Sequence, residues 1–348
     1  MLDLYPFAAP FIRLLDPETG HRLAIGALKR GLVPACGKFD DSVLRTTVWG
    51  RELPNPIGTA AGFDKNAEAV DAVHLLGFGF AEIGTVTPQP QRGNPKPRLF
   101  RLLADDAVIN RMGFNNEGLE VVLARLKAAS RKGIVAVNVG KNKDAEDAVA
   151  DYVTGVSAAA ELADFLVLNV SSPNTPGLRG LQKKSELGSL LEASIAARNG
   201  CSVPILVKVA PDLSDDELKD IAGTCLDVGI DGIVATNTTI SRPDGLRDPN
   251  ATQGGGLAGR PLFELSTRIL HRLYELTDGK VPLVGVGGVS SGADAYAKIR
   301  AGASLVQLYS AMVFAGPNLV NRINRDLAAL LHRDGFAGVK DAIGADHA

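Results

Sequence analysis

Cysteine is scarce in this 348-residue chain, with Cys36, Cys201 and Cys225 making up the whole set. Three scattered thiols without metal-ligand spacing exclude a disulfide framework and an iron–sulfur electron route within the chain, and they fit a reducing compartment. An excess of charge of one sign is missing as well. The formal net charge is −2, which leaves no electrostatic basis for binding nucleic acid. No apolar run reaches the roughly 20 residues that span a bilayer. Asp3 stands where a secretory leader would carry its basic start. No Gly-x-Gly-x-x-Gly follows the first strand-like run, which counts against a doubly wound dinucleotide fold. Repeats, low-complexity stretches and charged tails are absent too.

What is present is an ordinary globular composition, 45% hydrophobic, in a chain long enough for one large α/β barrel or two smaller domains. From about residue 55 apolar strand-like runs alternate with helical stretches. Strands are predicted over 57–61, 80–86, 134–139, 165–170, 205–209, 232–236, 283–286 and 305–309. Helices are predicted over 67–76, 119–129, 144–163, 185–199, 215–228, 262–276, 293–301 and 319–332. Gly77, Gly133, Gly200, Gly229 and Gly302 read as helix ends, and Ser214-Asp-Asp-Glu217 as a capping box. Eight such strand–helix units make an α/β fold of the (β/α)8 TIM-barrel type.

Residues 1–38 differ from the rest. Leu4, Tyr5, Phe7, Phe11, Ile12, Leu14 and Leu15 form an apolar cluster broken by Pro6 and Pro10, and Pro10 argues against one continuous first helix. Asp16-Pro-Glu-Thr19 then opens a second helix with a cap, a proline and an early acid. This helix places His21, Ala24, Ile25 and Leu28 on one face, leaves Arg22, Lys29 and Arg30 outside, and ends at Gly31 and Pro34. Two readings remain open on these residues alone: a helix pair packed on the core, or a lid or foot lying in a membrane interface.

Polar residues collect at the carboxyl ends of the strands, where barrels carry their chemistry. These are Ala60-Ala-Gly-Phe-Asp-Lys65, Gly84-Thr85, Asn138, Asn169 to Asn174, Lys208, Thr236-Asn-Thr238, Gly285-Val-Gly-Gly288 and Tyr309-Ser310. The loop Asn169-Val-Ser-Ser-Pro-Asn-Thr-Pro-Gly-Leu-Arg179 is stiffened by two prolines and follows a run buried on both faces. By itself it also reads as a turn without chemistry. Gly287, Gly288 and Ser290-Ser-Gly292 resemble a phosphate-binding turn opening a helix. Lys208 lies inside the apolar run Ile-Leu-Val-Lys-Val, so its ammonium needs a partner in a site. It would form a Schiff base with a carbonyl, stabilise negative charge on a cofactor, or face solvent from a strand edge. Lys65 invites a carboxylate partner.

Taken together, Gly58-Thr-Ala-Ala-Gly-Phe-Asp-Lys65, Gly93-Asn-Pro-Lys-Pro-Arg98, Asn110-Arg-Met-Gly-Phe-Asn115, Asn169-Val-Ser-Ser-Pro-Asn-Thr-Pro-Gly177, Thr236-Asn-Thr-Thr239, Gly285-Val-Gly-Gly288 and Gln307-Leu-Tyr-Ser310 resemble the class 2, quinone-dependent dihydroorotate dehydrogenases. The likeness extends over essentially the whole chain, including its N-terminal helices. It implies a segment 1–38 that meets the membrane and admits quinone, and a catalytic barrel over 39–348. It implies FMN held by Ala61, Gly62, Phe63, Asp64, Lys65, Thr85, Asn138, Asn169, Lys208, Thr236, Gly259, Gly288, Tyr309 and Ser310. Dihydroorotate would meet Lys65, Asn110, Arg111, Met112, Gly113, Phe114, Asn169, Asn174, Asn237 and Thr238.

The same resemblance makes Ser172 the base at C5 while hydride leaves C6 for the flavin, with Lys208 stabilising the reduced flavin. It makes a ubiquinone-type quinone the final electron acceptor, in the de novo route to UMP. His21 and Arg101 become candidate tunnel residues, and Thr175 and Phe114 candidates for shaping a proton relay. No metal and no nucleic acid is implied. A monomer held peripherally at the cytoplasmic face of the inner membrane is the expected state. The soluble class 1 relatives use a cysteine base, and this loop has none. Competing possibilities are a flavin barrel with another acceptor, such as NAD or fumarate, a Schiff-base aldolase or isomerase built on Lys208, and a non-catalytic barrel used as a binding scaffold.

Overall fold

The computed structural model describes residues 5–33 and 39–347; Leu4, Pro34, Cys36 and the proposed boundary at residue 38 lie outside them. Eight parallel strands close into a barrel in chain order: β1 (Ile57–Asp64), β2 (Phe80–Val86), β3 (Ile134–Val139), β4 (Phe165–Asn169), β5 (Ile205–Val209), β6 (Gly232–Ala235), β7 (Leu283–Val286) and β8 (Ala303–Leu308). β8 pairs with β1 through Val306 and Ile57, so no edge is left between them. The TIM-barrel expectation holds.

The strands read as continuous apolar runs because both of their faces are buried. Ile83, Val137, Leu166, Val207 and Ile233 face outward onto the helices. Phe80, Ala136, Phe165, Val167, Leu206, Val234, Val284 and Leu305 fill the interior. Two residues further along, the inward positions turn polar: Glu82 after Phe80, Asn138 after Ala136, Asn169 after Val167, Lys208 after Leu206, Gln307 after Leu305. All five are buried. The period of 2 thus lays a polar floor on an apolar plug. A hairpin absent from the sequence-based prediction, Thr46–Val48 with Arg51–Leu53, closes the opposite end. Its Trp49 packs 5.1 Å from Phe165 and donates to the Asp231 carbonyl at 2.6 Å.

The helices of the barrel's outer ring are α3 (Val70–Leu75), α4 (Leu119–Ala128), α5 (Ala148–Ala159), α6 (Lys184–Ala196), α7 (Asp215–Val228), α8 (Phe263–Thr277), α9 (Gly292–Arg300) and, after the short mouth helix α10 (Ala311–Ala315), α11 (Leu319–Arg333). α7 has its capping box and its left-handed Gly229. Two predicted helices begin too early. Ala67 sits at φ +55°, outside helical geometry, so α3 starts three residues later. Asp147 accepts from the Ala150 amide and caps α5, which excludes residues 144–147.

The N-terminal segment folds as α1 (Tyr5–Leu14) and α2 (Pro17–Lys29). α1 runs through Pro10, contrary to the expectation of a break. The proline ring is exposed and removes one helical bond only. Both ends of the helix are tied down: Tyr5 donates to the Val313 carbonyl at 2.6 Å, and Arg101 to the Arg13 and Leu15 carbonyls at 3.2 and 2.8 Å. Asp16 caps α2 as predicted, through the Thr19 amide. A second unpredicted element, an antiparallel sheet of Leu99–Leu102, Ala107–Asn110 and Gly256–Gly259, stands over the barrel mouth.

Candidate active site

A single cavity of ≈ 580 Å³ runs from the polar floor to the space between α1 and α2. Ser172, Asn174, Asn110, Asn237 and Thr238 line its inner end. Lys208, Thr85, Asn169 and Thr236 line its base, with Ala61, Gly62, Phe63 and Lys65 from the end of β1 beside them. Met112, Gly113 and Phe114 border it below the antiparallel sheet, and Gly259, Gly288, Tyr309 and Ser310 on the β7–β8 side. His21 and Arg101 face it near the opening, together with Tyr5, Ile12, Leu15 and Leu23.

Three predicted site residues are placed otherwise. Asp64 turns back onto its own loop, accepting from the Glu68 and Ala69 amides at 2.9 and 2.8 Å, and does not line the cavity. Arg111 points outward over the Phe100 ring, 4.6 Å from its centroid, and donates to Pro97, Gln253 and Gly254. Asn138 lies one layer beneath the cavity wall, between Glu82 and Thr85. At the start of α9, where the anion site was expected, Asp294 accepts from both the amide and the hydroxyl of Ser290 at 2.9 Å. Gly287 and Gly288 keep positive φ, and a Cβ on Gly288 would lie 2.6 Å from the Phe263 amide nitrogen.

Hydrogen bonds link the floor into one network. Asn237 Nδ2 donates to Asn169 Oδ1 at 3.2 Å and to Ser171 Oγ at 3.0 Å. Asn169 Nδ2 donates to Thr85 Oγ1 at 2.9 Å, and Thr85 in turn to Asn138 Oδ1 at 2.6 Å. The Ser172 hydroxyl accepts from the Asn174 amide at 3.3 Å, and Asn174 Nδ2 reaches Asn110 Oδ1 at 3.3 Å. Thr175 Oγ1 is buried and has no hydrogen-bond partner among the described residues.

The lysines differ from one another. Lys65 donates to the Gly62 carbonyl at 2.9 Å and has no carboxylate partner within the protein among the described residues. Burial, ahead of the neighbouring charges, brings its pKa down to about 8. Lys208 is buried rather than solvent-facing, and it forms no hydrogen bond or ion pair among the described residues. Desolvation lowers its pKa and the Glu82 carboxylate opposes that shift. His21 is pushed down to about 3 by burial and by Lys65, so its ring is neutral; its Nδ1 lies 3.3 Å from the Tyr309 hydroxyl.

Several supports of this site lie outside the predicted residues. Arg179 pairs with Asp212 at 2.8 Å and donates to the Ser171 and Thr238 carbonyls at 3.0 Å, tying together the loops after β4, β5 and β6. Asn94 donates to the Asn174 and Arg111 carbonyls at 3.1 Å. Glu82 was legible in principle, because a carboxylate inside Phe-Ala-Glu-Ile-Gly is as anomalous as Lys208 in its own strand.

A barrel with a polar floor and an apolar vestibule at the carboxyl ends of its strands defines a small-molecule enzyme of the (β/α)8 class. The family model for dihydroorotate dehydrogenase matches residues 43–331. A protein of Azorhizobium caulinodans named dihydroorotate dehydrogenase (quinone) is 59% identical, over 99% of both chains. The mouse protein named dihydroorotate dehydrogenase (quinone), mitochondrial, is 53% identical, over 96% of this chain and 88% of its own. The crystal structure of the Eimeria tenella dihydroorotate dehydrogenase with ferulenol superposes with a TM-score of 0.92 at 42% identity, covering 95% of this chain and 96% of that one. The chain belongs to the dihydroorotate dehydrogenase family, in its quinone-dependent class 2 branch. That membership sets aside the aldolase, the isomerase and the binding scaffold.

Proposed function

We propose that the protein oxidises (S)-dihydroorotate to orotate in the de novo route to UMP, with FMN as hydride acceptor and a membrane quinone as final electron acceptor. The observation that carries the proposal is the continuity of one cavity from Ser172, past Lys208, to the gap between α1 and α2. The donor set suits a flavin: an unpaired buried ammonium, the Thr85 and Asn169 side chains, and glycines at 62, 259 and 288 that leave the wall free of side chains. A smaller cavity of ≈ 210 Å³ shares Gly259 and Gly288 and is bordered by Ser290 and Ala311, which suits the cofactor's phosphate end.

The bound flavin supplies a two-electron acceptor that no side chain here provides. The chain's own residues orient the substrate and move its proton. Lys65 meets the carboxylate, and Asn110, Asn174 and Asn237 offer amide donors and acceptors to the ring. Ser172 takes the C5 proton, and the unpartnered Thr175 hydroxyl in the same loop supports its onward transfer. Lys208 places positive charge where the isoalloxazine gathers negative charge.

The outer end of the cavity fits an amphiphilic acceptor. Phe7, Phe11, Ile12, Leu14, Leu15, Leu23 and Leu32 are exposed, Phe7 and Phe11 at 73% and Leu14 at 83%. Arg13, Arg22, Lys29 and Arg30 flank this apolar surface, the charge pattern of a foot resting on anionic lipid. No helix among the described residues is long and apolar enough to cross a membrane. In this proposal residues 1–38 form the quinone entrance, 39–348 form the catalytic barrel, and a monomer rests peripherally on the cytoplasmic face of the inner membrane. The deciding experiment is an anaerobic absorbance spectrum of the purified protein before and after dihydroorotate. Bleaching of a bound flavin is expected; a colourless protein that takes up no FMN on refolding would end the proposal.

A further inference from the structure

Glu82 lies in the middle of β2, fully buried, and makes no contact with the cavity. Its Oε1 accepts from Asn138 Nδ2 at 2.7 Å, and its Oε2 accepts from Gln307 Nε2. The cation in the same inward-facing layer is Lys208, two residues beyond the interior Leu206 as Glu82 is two beyond the interior Phe80, and Glu82 favours its charged state against desolvation without direct contact. The register neighbours of Lys208, Asn169 on β4 and Val234 on β6, carry no charge. A buried carboxylate is costly unless hydrogen bonds and a counter-charge offset it. Here both are present.

Both carboxylate oxygens of Glu82 accept, whereas an amide can turn either way. Glu82 therefore compels Asn138 to present Nδ2 and leaves Oδ1 for the Thr85 hydroxyl. The Thr85 oxygen, its proton committed, accepts from Asn169 Nδ2, and Asn169 Oδ1 is left to accept from Asn237 Nδ2. Every link from Asn237 to Glu82 runs donor to acceptor in the same direction. Gln307 is turned by the same carboxylate, which leaves its Oε1 buried without a partner among the described residues.

We infer that Glu82 is a positioning residue: it sets the direction of the hydrogen-bond chain from Asn138 to Asn237 and supplies the counter-charge to the Lys208 ammonium. The inference rests on the reading that this cavity holds a flavin. Glu82 acts on the cofactor through Lys208, which gives its effect a distinctive sign. A bare negative charge near the flavin would, when removed, make reduction easier. Loss of the counter-charge that keeps Lys208 cationic makes reduction harder.

The test is the flavin midpoint potential of the holoprotein and of Glu82→Gln, measured anaerobically with redox dyes. The expected result is a lower potential in Glu82→Gln, at least about tenfold in the equilibrium constant, or about 30 mV for a two-electron couple. Flavin reduction by dihydroorotate should slow in parallel. Glu82→Asp keeps the charge one methylene further from its donors and should show a smaller fall in the same direction, which also covers failure of the glutamine variant to fold. An unchanged or raised potential in the folded variants would overturn the inference while leaving the flavin assignment intact. A parent protein that binds no flavin would overturn both.

Discussion

Glu18 on α2 and Arg98 ahead of the antiparallel sheet form a two-pronged ion pair, with Nη2–Oε1 at 2.7 Å and Nε–Oε2 at 3.0 Å. Both side chains are almost wholly buried. Arg98 also donates to the Arg92 and Asn94 carbonyls at 2.6 and 2.9 Å, and Asn94 holds the Asn174 carbonyl. The pair thus fastens α2 to the segment that braces the loop after β4.

Removing one partner of such a pair strands the other charge. Glu18→Ala should cost about 3–5 kcal/mol in the docking of α2, read as faster proteolysis within residues 5–33 while the barrel stays intact. The Arg98 hydrogen bonds and Coulomb attraction, working against desolvation, hold the Glu18 pKa below its usual value. A depressed carboxylate stabilises the fold above its unfolded pKa of about 4.3, and that contribution is lost as pH falls through the folded value. Acid should therefore release α2 in the parent, and the variant should lack this acid-dependent step.

Ser172→Ala should retain flavin but slow its reduction by dihydroorotate by about 10²–10⁴-fold. Stopped-flow bleaching of the flavin band measures this directly. Rapid bleaching would assign the proton transfer elsewhere.

Lys65 offers a pH signature. With its pKa brought down to about 8 by burial, it is mostly cationic below that pH and neutral above it. Orotate affinity should decline as pH rises through about 8, because a carboxylate binds the protonated form. Lys65→Ala should bind weakly with no step in that window; titration by flavin absorbance decides.

The apolar foot can be tested on the full chain. Phe7→Ser, Phe11→Ser and Leu14→Ser together remove side chains worth about 1.5–3 kcal/mol each when buried. Sedimentation with anionic phospholipid vesicles should fall steeply, and quinone turnover with it, while bleaching by dihydroorotate persists. Equal loss of both half-reactions would point to a folding role for α1.

Much of this architecture was legible in the chain itself. The alternation of apolar runs with capped helical stretches pointed to eight strand–helix units around a parallel sheet buried on both faces, and the missing Gly-x-Gly-x-x-Gly favoured a barrel over a doubly wound sheet. Residues at strand ends, among them Asn169, Lys208 and Tyr309, could be assigned to the mouth, since chain order alone sets which end of a parallel strand carries the loop.

Tertiary structure decided the partners. Period 2 brings Glu82, Asn138 and Gln307 to the same inner face, but their meeting depends on the register in which separate strands close, with 225 positions between Glu82 and Gln307. Asp64 and Arg111 stand in stretches that match the family pattern, yet the first satisfies amides of its own loop and the second stacks on Phe100 outside. The Glu18–Arg98 pair spans 80 positions. Local sequence governs the face a side chain occupies; the acceptor it finds there comes from another part of the chain, and only closure of the fold brings the two within hydrogen-bonding distance.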